Sequence, residues 1–113
     1  MRVYEEPRAY NRAEAAEAVR SQDAAVVSRA LVGVAFYDED WGWVQSQCVL
    51  LAKHPSPAVR CVAATCLGHL ARIHGQLDRE IVNPVLDSLA ADPDPTVSGC
   101  VSDARDDLDT YLK

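Results

Sequence analysis

The stretch 54–75, HPSPAVRCVAATCLGHLARIHG, decides the fold of this chain. It opens on a proline turn and ends on a glycine, the usual residue just beyond a helix C-terminus. At 100° per residue its apolar side chains fall within an arc of about 140°, which predicts an amphipathic helix at 57–74. That arc holds Val59, Val62, Ala63, Cys66, Leu67, Leu70 and Ile73. The opposite side holds Arg60, Thr65, Gly68, His69 and Arg72.

Apolar patterns on either side of this stretch predict five further helices. With the central helix included, the predicted ranges are 11–20, 24–36, 41–53, 57–74, 79–91 and 96–112. Asn11, Asp40 and Asp78 stand where N-cap residues are expected. Because β-branched residues are frequent in 24–36, a strand is the alternative there. Pro84 either kinks the fifth helix or is the first residue of a shorter one.

The chain repeats itself at an offset of 38 residues. The aligned pairs include Pro55 with Pro93, Val59 with Val97, and Leu70 with Leu108. Each unit is a helix, a turn and a second helix, and the units span about 11–37, 38–75 and 76–112. A lone helix pair leaves an apolar face bare, and stacking of the units covers it. We therefore predict an all-α fold, a right-handed α-α superhelix of three helix pairs that forms one domain over 1–113.

The predicted second helices, in PSPAVRCVAATCLGHLA and DPDPTVSGCVSDARDDL, resemble the second-helix signature of HEAT repeats. The first copy keeps the signature residues Val59, Arg60, Ala63, Ala64, Leu67 and Gly68. The second copy departs from the signature at Ser98, Arg105 and Asp106. The longer run from DEDWGW to HGQLD is similar to small bacterial HEAT-like proteins. Some proteins of that kind are immunity partners of toxins of contact-dependent growth inhibition or of polymorphic toxins, which implies a toxin–antitoxin role.

The overall charge limits the class of partner. The chain has a formal net charge of −6, which argues against binding nucleic acid through its phosphates. An acidic balance suits a basic protein partner, or it serves solubility alone. No apolar run is long enough to span a membrane, and the first twenty residues lack an apolar signal core. We therefore expect a cytoplasmic protein with no membrane partner.

The cysteines do not indicate a metal or cofactor site. Cys48, Cys61, Cys66 and Cys100 form no CxxC pair, and we expect them to be reduced, small, buried residues. The spacing of Cys66 and His69 is one that can chelate a metal, but Cys66 points into the predicted core. No signature of thiol catalysis accompanies Cys61. We therefore predict no enzyme activity, no metal and no cofactor.

Two segments, 37–43 and the acidic stripe of the last helix, are candidates for binding a protein partner, together with one residue of the central helix. The predicted contact residues are Tyr37, Asp38, Glu39, Trp41, Trp43, His69, Asp103, Asp106 and Asp107. The acidic stripe on the last helix is either a partner surface or a solvated end cap. The two tryptophans, two positions apart, point in opposite directions on a helix. Either one of them is exposed as an interface anchor, or both pack, one against the first unit and one against the second.

The sequence therefore predicts a protein-binding module. Its most concrete form is an immunity protein that covers the active site of a cognate toxin, a basic domain for which a nuclease is one candidate. An acidic surface would then imitate the polyanion that such a toxin binds and would speed association. The alternative is a HEAT-like scaffold or accessory subunit of a cytoplasmic complex.

Overall fold

The computed structural model describes residues 7–112, which form six helices and no strand. The helices are α1 (Arg12–Arg20), α2 (Ala24–Tyr37), α3 (Trp41–Leu51), α4 (Pro57–His74), α5 (Arg79–Ala90) and α6 (Pro95–Tyr111). The all-α prediction is confirmed, and the strand alternative for 24–36 is wrong. The predicted range of the central helix agrees with α4, and α3 ends two residues earlier than predicted. The division of the chain into three repeat units stays a prediction.

Local capping sets the starts of the first helices of each pair. Asn11 forms a capping box with Glu14, and Asp40 accepts a hydrogen bond from the backbone N–H of Trp43 at 3.1 Å. The Asp78 carboxylate likewise caps α5. All three predicted N-caps are confirmed. Helix α5 continues through Pro84, which lies on its exposed side, so the shorter-helix alternative is wrong.

The second helices α2, α4 and α6 form one layer, with α4 in the middle. Helix α4 packs most extensively on α6 and also along α2, while α1, α3 and α5 each pack beside the helix that follows them. At the end of α4, Gly75 adopts a left-handed conformation with φ of 61°, the usual termination for a helix. Because α4 has neighbours on both flanks, it is the most deeply enclosed element.

The buried side of α4 is broader than the sequence predicts. Val59, Ala63, Cys66, Leu67 and Leu70 are buried as predicted. Two members of the predicted core arc are not: Ile73, in the last turn beyond the neighbouring helices, is 37% exposed, and Val62 is half-buried. The prediction that Gly68 lies on the open side is also wrong. Helix α6 approaches it so closely that a Cβ there would lie 3.2 Å from the Ala104 Cα.

The cysteine prediction is wrong for one pair. Cys48 and Cys66 are free and buried, as expected. Cys61 of α4 and Cys100 of α6, however, form a disulfide, with their Cα atoms 5.5 Å apart. The repeat offset aligns Cys100 with Val62 and so conceals this contact. The two cysteines are 39 residues apart, so the 38-residue offset does not align them with each other.

Within residues 7–112, no helix is both long enough and apolar enough to span a lipid bilayer. The prediction that the chain carries no signal core falls partly on residues 1–6, which lie outside the described residues.

Candidate functional site

His69 lies at the junction of the three second helices. Its ring packs against Phe36 of α2 at a centroid distance of 5.1 Å, and Arg72 donates a hydrogen bond to its Nδ1 at 3.0 Å. Because a guanidinium can only donate, this Nδ1 carries no proton. Burial lowers the pKa of His69, Arg72 lowers it further, and Asp107 of α6 opposes both. His69 is therefore neutral at pH 7 and presents a half-buried polar ring rather than a charge.

The acidic stripe of α6 lies beside this histidine. Asp107 is half-buried against Gly68, while Asp103 and Asp106 are exposed. Within residues 7–112, none of these three carboxylates pairs with a cationic side chain. The stripe thus leaves its charges exposed to solvent, and its role as a partner surface or as an end cap stays a prediction.

The acids of the loop between α2 and α3 differ in what they do. Asp38 ends α2, and its carboxylate accepts a hydrogen bond from the Asp40 N–H at 2.9 Å. Asp40 pairs with Arg12 of α1 at 2.8 Å. The Trp43 backbone N–H, followed by that guanidinium, lowers the pKa of Asp40. Asp38 therefore shapes the loop, whereas Glu39 between them is exposed and makes no such bond in the described residues.

Both tryptophans are half-buried, and they face different neighbours. Trp43 lies beneath the Arg12 guanidinium, 4.4 Å from its ring centroid. Trp41 lines an open cleft with the end of α4, the start of α5 and Tyr111 at the end of α6. Trp43 thus packs against the first helix, whereas Trp41 faces the ends of α4 and α6 and the start of α5. Contact of either ring with a partner stays a prediction.

The structure brings together only part of the predicted contact set. Five members lie on the layer of second helices, and we call them the second-helix surface: Tyr37, His69, Asp103, Asp106 and Asp107. Tyr37 is 54% exposed and adjoins Phe36 in the aromatic group around His69. The other members, in the loop and the first turn of α3, form a separate group. Tyr111, which is 47% exposed, was not predicted.

A more consequential interaction was missed. Arg60 binds both carboxylate oxygens of Asp92, at 2.8 and 3.2 Å, and also donates to the carbonyls of His54 and Pro55. Both charged side chains are largely enclosed, and Arg60 lowers the pKa of Asp92. The pair ties the start of α4 to the loop before α6. Arg60 is thus a structural residue, and its open-side position on the helical wheel conceals that role.

The described residues provide no obvious metal centre. In residues 7–112, no group of three or more His, Cys, Asp or Glu side chains is placed to hold an ion. Burial raises the pKa of the Cys66 thiol to about 12, so this sulfur is not available as a thiolate. What the surface offers is instead a set of exposed carboxylates next to exposed aromatic rings, which is chemistry for binding a protein.

Comparison with known proteins finds a matching family model and a similar solved structure. A family model described as HEAT repeat matches residues 44–74, which cover most of α3 and all of α4. The chain is also similar to one in the crystal structure of a CDI complex from Cupriavidus taiwanensis LMG 19424. The two are 32% identical with a TM-score of 0.84, and the similarity covers 100% of each chain. No curated protein matches.

Proposed function

Because the chain belongs to the HEAT-like helical repeat proteins, we propose that it is a non-enzymatic immunity protein that binds and neutralises a cognate toxin. The observation that carries the proposal is the similarity, over 100% of both chains, to a member of a CDI complex. The resemblance of its own sequence to immunity partners in contact-dependent growth inhibition supports the same conclusion. A chain similar along its whole length to a component of a complex is well suited to bind a protein itself.

The second-helix surface is the proposed contact with the toxin. It combines the exposed ring of Tyr37 with the neutral, half-buried ring of His69 and the unpaired carboxylates of α6. Aromatic residues in such a setting supply short-range contact area, and the carboxylates supply longer-range attraction for a basic domain. Neutralisation by occlusion needs no catalytic group from this chain. A cytoplasmic location, where an incoming toxin would be met, is part of the proposal.

Growth protection tests the neutralisation itself. A candidate toxin domain, sought first among the genes that neighbour this one, is expressed in a heterologous host, alone and together with this chain. We expect growth arrest without the chain and normal growth with it. A chain that binds the toxin domain but does not protect the host would contradict the proposal and favour a scaffold role.

Charge reversal tests the steering step. We expect Asp103→Lys with Asp106→Lys to slow association by about 10-fold or more at low salt, with a smaller effect at high salt. Glu17→Lys with Glu80→Lys is the matched control, because these acids are also exposed and the net charge changes equally. Stopped-flow fluorescence measures the rates. Equal slowing by both double variants would show that the total charge, and not the second-helix surface, attracts the toxin.

A further inference from the structure

We propose that Cys61 and Cys100 form a reversible redox modification site, a cross-link between α4 and α6 that small thiols open and small disulfides close in the folded protein. This inference does not depend on the proposed immunity function. It concerns the junction between α4 and α6, the most extensive helix contact of the molecule.

The backbone separation of the two residues suits a cross-link between α4 and α6. The two Cα atoms lie 5.5 Å apart, within the usual range for disulfides. Both residues are only half-buried, unlike Cys48 and Cys66, so access of a small reagent to this pair is part of the proposal. The 38-residue offset does not pair these cysteines. They face each other because of how the helix flanks meet.

The other two cysteines provide an internal reference. Cys48 and Cys66 are completely buried, and they remain free thiols in the same molecule. Burial raises the pKa of both thiols, and Cys66 raises that of Cys48 further, so the two lie near one another. Because thiol reactivity requires a thiolate and access to the reagent, this pair should be inert in the folded chain. Redox chemistry is therefore confined to the half-buried pair.

Other contacts hold α4 and α6 together when the cross-link is open. Val97 and Val101 of α6 are buried in the core, and Gly68 of α4 allows a close approach to Ala104. The ion pair formed by Arg60 ties the start of α4 to the loop before α6. The reduced form should therefore keep the same helices in the same order.

The reaction balances as two thiol–disulfide exchanges. A glutathione thiolate attacks one sulfur of the protein disulfide, which forms a mixed disulfide and releases the other cysteine as a thiolate that takes up a proton. A second glutathione thiolate attacks the glutathione sulfur of that mixed disulfide. The products are oxidised glutathione and two protein thiols. The protein disulfide gains two electrons and two protons, and the reverse sequence, with oxidised glutathione as oxidant, closes the cross-link.

Differential alkylation tests the site. The full chain is equilibrated at a series of ratios of reduced to oxidised glutathione and then treated with N-ethylmaleimide without denaturant. We expect Cys61 and Cys100 to become labelled together as the ratio rises, while Cys48 and Cys66 stay unlabelled until the protein is denatured. Tandem mass spectrometry assigns the labels, because Cys61 and Cys66 share one tryptic peptide. Circular dichroism, recorded at each ratio, should show unchanged helix content.

Two variants show which cysteines are responsible for the redox response. Under oxidising conditions Cys61→Ser should leave Cys100 as a mixed disulfide with glutathione. Cys48→Ala with Cys66→Ala should leave the redox titration of the other pair unchanged. Three outcomes would overturn the proposal: labelling of Cys61 and Cys100 in excess oxidised glutathione, resistance of the cross-link until the protein is denatured, or loss of helix content upon reduction.

Discussion

Opening the cross-link between Cys61 and Cys100 should lower the stability of the fold by an amount set by chain length. The bonded residues are 39 apart in the sequence. Closing a loop of that length in the unfolded chain removes entropy worth about 4 kcal/mol at 25 °C. For a chain of this size, that difference corresponds to a melting temperature about 15 °C lower in the reduced form. The effect arises in the unfolded state, because the folded contacts around the cross-link are retained.

Urea denaturation measures both the size and the origin of the effect. Oxidised wild type, reduced wild type and the Cys61→Ser/Cys100→Ser variant are unfolded in parallel and followed by circular dichroism. The reduced protein and the serine variant should unfold at similar urea concentrations, well below that of the oxidised protein. The oxidised form should also show a smaller m value, because a cross-linked unfolded chain exposes less surface.

Two results would refute this reasoning. If the oxidised and reduced forms differ by less than about 1 kcal/mol, loop closure does not govern the stability of this chain. If they differ as expected but with identical m values, the stabilisation lies in the folded state instead. A Cys48→Ala/Cys66→Ala background provides the control, because both redox forms should be destabilised equally there.

Three further perturbations test the packing and the charges, each by urea denaturation. Leu67→Ala should cost about 3 to 5 kcal/mol because this side chain is fully buried, whereas Leu50→Ala, at a site 60% exposed, should cost less than about 0.5 kcal/mol. Gly33→Ala should destabilise the fold because a Cβ there would collide with the segment before α1, while Gly99→Ala meets nothing and should stabilise by up to about 1 kcal/mol. Asp92→Asn should weaken the fold at neutral pH. Since the guanidinium beside Asp92 lowers its folded pKa, the advantage of the wild type is present above the ordinary pKa near 4 and should disappear as the pH falls through the folded value; an equal difference at all pH values would contradict this.

Local signals made most of the fold predictable. The start of each first helix depends on its own cap, as at Asn11 and Asp40, and the range of α4 depends on its own apolar pattern and on Gly75. Each of these features depends only on residues that are close together in the sequence. The bond between Arg60 and Asp92 is different in kind, because it joins residues 32 apart and depends on how two helices and a loop are placed. No periodicity within one helix contains that information.

The candidate site also combines features that the sequence predicted with contacts that it did not predict. The repeat pattern accounts for part of this difference. The 38-residue offset aligns Asp107 with His69, and Asp107 raises the pKa of that histidine, so these two do lie near each other. The same offset aligns the exposed Asp106 with the buried Gly68, and it misses the bond between Cys61 and Cys100, which are 39 residues apart. Repetition therefore predicts the helices and their order better than it predicts which side chains are exposed or in contact. Tyr37, His69 and Asp107 lie on three successive second helices, but the offset aligns only the last two of them. Because helix stacking does not distinguish one HEAT-like chain from another, we expect the specificity of a partner contact to reside in the charges and rings of the second-helix surface.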